Sequence, residues 1–123
     1  MKIIRLVAVF AAAGLAACSL QNKYEREADD ITRAVMNNDL RPVSGQIAPG
    51  VNIPRVKIAE WSDELNAQGK LVSLKEVTTN CDPGWHCFEV KFEKHAYLEH
   101  MRLDESGKVV NWNFKMAQTP MSS

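Results

Sequence analysis

Apolar and polar residues change rhythm three times along the chain. From Leu6 to Ala17 every position is apolar or glycine, behind a short basic start of Lys2 and Arg5. Polar sequence follows at once, and a helical period sets in: Tyr24, Ala28, Ile31 and Val35 recur at spacings of four, three and four. That spacing puts one apolar stripe on a helix over Tyr24 to Leu40. Glu25, Glu27, Asp29 and Asp30 crowd its first half, where the helix dipole favours anions, Asn37-Asn38 weaken it, and Pro42 ends it. Residues 41–54 hold three prolines and two glycines, which predicts a loop with at most one helical turn around Val43 to Ile47. A second helix is expected from Pro54 to Gln68, with Ile58, Trp61 and Leu65 on its apolar side and Gly69 as its stop.

After Gly69 the period becomes two. "KLVSLKEVT" is a strand candidate. In "HCFEVKFEKH", Phe88, Val90 and Phe92 alternate with Cys87, Glu89, Lys91 and Glu93. "AYLEHMRL" places Tyr97, Met101 and Leu103 on one side, with Glu99 interrupting them. "DESGK" is a turn, and "VVNWNFKM" alternates through Val110, Trp112, Phe114 and Met116. Two helices followed by four strands on short connections predict an α+β domain over residues 23–116. Its helices pack on a four-stranded antiparallel meander sheet whose inner face is aromatic. "AQTPMSS", residues 117–123, is expected to be a disordered tail.

The opening stretch does not belong to that domain. A charged start, a short apolar run and small residues before Cys18 form a secretory signal, and the run falls short of the roughly 20 residues of a spanning helix. Leu15-Ala16-Ala17-Cys18 closely resembles the bacterial lipobox. The resemblance implies removal of a signal peptide over residues 1–17, lipidation of Cys18, and a lipidated tether over residues 18–22. Two or more acyl chains hold a protein stably on a bilayer. Ser19 after the lipidated residue resembles the type sent to the outer membrane, where the domain would face the periplasm.

Charge and cysteine content follow from this. The whole chain carries 15 basic and 15 acidic residues. Without residues 1–17 it carries 13 basic ones, a slightly acidic balance that does not favour nucleic acid. Cys81 and Cys87 then remain as an even pair in an oxidising compartment, around the turn-forming Asp82-Pro83-Gly84. A structural disulfide closing a hairpin tip is the expectation, ahead of a redox pair, a metal site or free thiols. Redox sites of the thioredoxin kind have two residues between their cysteines, not five.

The order of elements and the ending "LDESGKVVNWNFKM" resemble the cystatin-like/NTF2-like superfamily. In those domains a curved antiparallel sheet wraps a long helix, and the last hairpin often carries an acidic-Gly-Lys turn. The superfamily contains enzymes and non-catalytic binders, so the resemblance implies a fold and not an activity. Its enzymes place Asp/His or Tyr/Asp sets inside the cone. No short motif in this chain matches one, so no catalytic residue is carried over and no cofactor is expected.

Three side-chain groups invite chemistry. His86 and His95 are expected at opposite edges of the sheet, and His95 and His100, five apart, on opposite sides of one strand, which supplies no tetrahedral metal site. Glu89, Lys91 and Glu93 alternate away from the aromatic face and read as a wet charged row. Glu99 falls on the aromatic face. If a pocket exists, Glu99 lines it with Tyr97 and Trp112 as walls. Trp85, at the disulfide-closed tip, is the candidate contact for a partner. The expected function is a non-catalytic, lipid-anchored envelope protein that binds a protein or small ligand. The alternatives are an isomerase- or hydrolase-type pocket using Glu99 and Tyr97, and an inhibitor or immunity-type lipoprotein.

Overall fold

A computed structural model describes residues 21–117. The first helix, α1 (Lys23–Met36), starts where it does because Asn22 closes a capping box. Its side-chain oxygen accepts from the Glu25 N–H at 2.7 Å, and the Glu25 carboxylate accepts from the Asn22 N–H at 3.0 Å. The tether expected over residues 18–22 therefore meets the fold at Asn22. The helix ends four residues before the expected Leu40. Asn38 turns into the left-handed region at φ 54°, a conformation asparagine tolerates, and breaks the hydrogen-bond ladder. Ala28, Ile31 and Val35 form the fully buried stripe, joined by Thr32, while Tyr24 is half-buried.

A 3-10 helix over Arg41–Gln46 occupies the predicted single turn and buries Val43. Helix α2 (Arg55–Asn66) follows Pro54 and buries Ile58 and Leu65. Its side chains finish α1. Ser62 Oγ and Asn66 Nδ2 donate to the Met36 carbonyl at 2.9 and 2.7 Å, partnering an oxygen that the end of a helix leaves open. After α2 the chain turns at Gly69, φ 92°, and only glycine fits. An added Cβ would stand 2.5 Å from Glu93 Oε1, the oxygen that accepts from the Lys70 N–H.

The four strands β1 (Leu71–Val77), β2 (His86–Phe92), β3 (Ala96–Leu103) and β4 (Val109–Met116) form an antiparallel sheet in the order β1-β2-β3-β4. The helices pack on one side of it, as expected for an α+β meander. Leu74, Phe88, Val90, Phe92, Tyr97, Met101 and Trp112 of the sheet join Ala28, Ile31, Val35, Ile58 and Leu65 of the helices in one core. One alternation differs from expectation. The β3–β4 register shifts between Arg102 and Leu103, so Arg102 faces Asn111 while Leu103 faces Val109. The extra residue, Val110, bulges, and Val109 takes the buried place expected for Val110. Met116 ends the strand largely exposed, past the edge of the core.

The chain after the 3-10 helix runs beside β4, where the Ala48 N–H donates to the Val109 carbonyl at 2.8 Å. Of the expected tail, Ala117 is still held, its N–H donating to the Ala96 carbonyl. Residues 118–123 lie outside the described residues, as do residues 1–20 with the expected lipobox and Cys18. No helix among the described residues is long and apolar enough to cross a membrane.

Candidate functional site

The register sorts the candidate residues onto two faces of the sheet. Tyr97, Glu99 and Trp112 all point inward. Glu99 sits in β3 between Phe88 of β2 and Phe114 of β4 and has no exposed surface. Its Oε1 lies 2.8 Å from the hydroxyl of Thr32 on α1, and its Oε2 has no protein partner. Burial, and more weakly the carboxylate of Asp29, push its carboxyl up to about 8 against the bonding effect of Thr32.

Tyr97 packs edge-on against Phe92, and its hydroxyl donates to Glu64 Oε2 at 2.9 Å. Burial and that carboxylate push its phenol up to about 12. Trp112 is buried against Trp61, with ring centroids 6.2 Å apart. The sequence thus brings the three proposed pocket residues to one face, where they form packed core. Two surface clefts, of about 680 and 470 Å³, lie instead around the end of α1 and the 3-10 helix. Leu40 and Arg41 line both, and none of Tyr97, Glu99 and Trp112 lines either.

The outer face is different chemistry on the same strands. Lys75, Glu89, Leu98 and Lys115 lie in register across all four strands, with Lys91 on the next row to one side and Arg102 two rows to the other, beyond Cys87 and His100. Four cations thus face one carboxylate, Glu89, whose Oε1 lies 3.6 Å from Lys91 Nζ. At one end of this face Cys81 and Cys87 are joined in a disulfide, with Cα atoms 5.7 Å apart. The bridge closes the β1–β2 connection through the turn at Asp82–Trp85, where Gly84 has φ 86°. Cys87 is on the outer face yet only 2% exposed. Trp85 is half-buried, folded back with its ring edge-on to His100 at 6.4 Å, rather than standing free at the tip.

The histidines are separately engaged. His86 stacks on Tyr24 at 4.1 Å and contacts Glu76, His95 contacts Gln68, and His100 lies by Trp85. No cluster of three metal-ligating side chains occurs among the described residues. Two features escaped the sequence reading. Thr32 was a polar residue inside an apolar stripe, a signal that something polar opposes it. The outer cations were visible as the alternate positions to the aromatic row, but their rows form only once the register is known.

Known protein families, curated proteins and solved structures yield no match to this chain.

Proposed function

We propose that the protein is a lipid-anchored component of the cell envelope, with a non-catalytic, cystatin-like/NTF2-like domain that binds a protein partner through its open sheet face. The lipobox at Leu15 to Cys18 supports the anchor, and the capping box at Asn22 starts the fold four residues later, holding the domain close to the bilayer. The observation that carries the binding role is the contrast between faces. Helices cover the inner one, and no described element lies over the outer one. The outer face offers Lys75, Lys91, Arg102 and Lys115 beside a disulfide-clamped loop with Trp85. Such a surface suits an acidic protein partner, since complementary charge steers encounter and an aromatic anchor supplies contact area.

An enzymatic role for Glu99 and Tyr97 has less support. Both side chains are sealed in core, and a general acid must reach its substrate. The decisive experiment places a photo-crosslinking residue at Ser73 on the outer face, across from Lys91, or at Lys57 on α2 in the full-length, membrane-tethered protein. We expect a discrete adduct from the outer face alone, weakened by Trp85→Ala, and loss of lipid label and of membrane fractionation in Cys18→Ala. Equal capture from both faces removes the binding proposal; membrane retention of Cys18→Ala removes the anchor.

A further inference from the structure

Hydrogen counting at Thr32 says something about the core that the binding role does not use. The Thr32 hydroxyl oxygen lies 2.7 Å from the Ala28 carbonyl and 2.8 Å from Glu99 Oε1. Both separations are those of a full O–H···O bond. A threonine hydroxyl has one proton and can also accept. The Ala28 carbonyl has none and only accepts, and an ionised Glu99 would likewise only accept, leaving one proton for two short contacts. With Glu99 protonated, Oε1–H donates to Thr32 Oγ1, the threonine proton goes to Ala28, and both contacts are bonded.

The rest of the geometry agrees. Oε2 is buried without a protein partner, which costs far less for the carbonyl oxygen of a neutral acid than for a carboxylate. Among the described residues no cation compensates. On α1 the charge that acts on Glu99 is Asp29, which is paired with Arg33 at 2.8 Å. On α2, Glu64 takes the Tyr97 hydroxyl. On β1, Glu76 pairs with His86 of β2, and the inner face of β4 presents Val109, Trp112 and Phe114.

We propose that Glu99 is a proton-operated clasp: as a neutral carboxylic acid it fastens α1 to the centre of the sheet through Thr32, and loss of that proton to solvent unfastens it. The sign follows from linkage. An unfolded Glu99 ionises at about 4.5 while the folded one keeps its proton to about 8. Raising the pH through that interval favours the unfolded chain, so the stability Glu99 contributes is complete below about 4.5 and is lost as the pH rises to about 8. Asp29, Glu76 and His86 are all retained in a Glu99→Gln variant, so comparison with it isolates Glu99. The amide of that variant can still donate to Thr32.

Thermal melts from pH 5 to pH 8 on wild type and Glu99→Gln are the test. The wild-type melting temperature should fall by about 10 °C or more relative to the variant over this range. Parallel curves would overturn the clasp. Should Glu99→Gln not fold, ¹³C carboxyl NMR on the wild type decides. A Glu99 midpoint near 8 supports the clasp, and a midpoint near 4.5 refutes it.

Discussion

Glu89 and Glu99 are the same residue type on adjacent strands of one sheet, and they are opposites chemically. Glu89 faces outward, half-exposed, with Lys91 3.6 Å from its carboxylate. Water solvates it and the pair holds little energy. Glu99 faces inward under α1, shows no surface, and is held by a single hydroxyl. Its environment removes the charge rather than pairing it. The difference is one of register parity. Strand side chains alternate with period two, so a slip of one residue would exchange the two environments and bury Lys91 or His100 instead. The inner face therefore decides whether the domain folds, and the outer face is free to differ at little cost to stability.

The largest effect should come from breaking the inner face. Phe88 is fully buried directly across from Glu99. Phe88→Ala should destabilise the domain by about 3–5 kcal/mol, measured by chemical denaturation, because a large cavity opens between α1 and β2. A loss under about 1 kcal/mol would mean that this face is not the sealed core. Next in size is the clamp at the end of the outer face. Cys81→Ala/Cys87→Ala should cost about 2 kcal/mol by the entropy of closing so short a loop. The expected signature is that reductant lowers the denaturation midpoint of the wild type and leaves that of the variant unchanged.

Periodicity made much of this architecture readable, because burial imposes it: Ala28, Ile31 and Val35 had to share a stripe, and Phe88, Val90 and Phe92 a face. The irregular places were not readable. Asn37-Asn38 and Pro42 both mark an end for α1, and only the left-handed turn at Asn38 shows that the chain leaves the helix at the first of them. The bulge at Val110 comes from the pairing of β3 with β4, and Val109 and Val110 are indistinguishable as letters. The inward side of Glu99 was legible from parity. Its partner was not, since Thr32 and Glu99 are 67 residues apart and meet only through the packing of α1 on the sheet. Trp85 was readable as a turn residue, but its return onto His100 depends on the path of the closed loop.

The smallest stability effects should come from the outer cations, where the comparison becomes sharpest. Lys115 lies across from Leu98, and Lys75 across from Glu89. Lys115→Glu meets no carboxylate across the strand pair, so its stability should stay within about 0.5 kcal/mol of wild type. Lys75→Glu puts like charges directly opposite and should lose a further 0.2–1 kcal/mol or so, a loss that added salt reduces. Both reverse a charge on the proposed contact surface, so both should weaken the outer-face crosslink to a similar degree. Denaturant midpoints at low and high salt, read beside crosslinking yields, separate the two roles. A Lys115→Glu variant that folds normally and crosslinks as well as wild type would show that charge on this face serves solubility alone, and the partner would then have to be read from Trp85 and its loop.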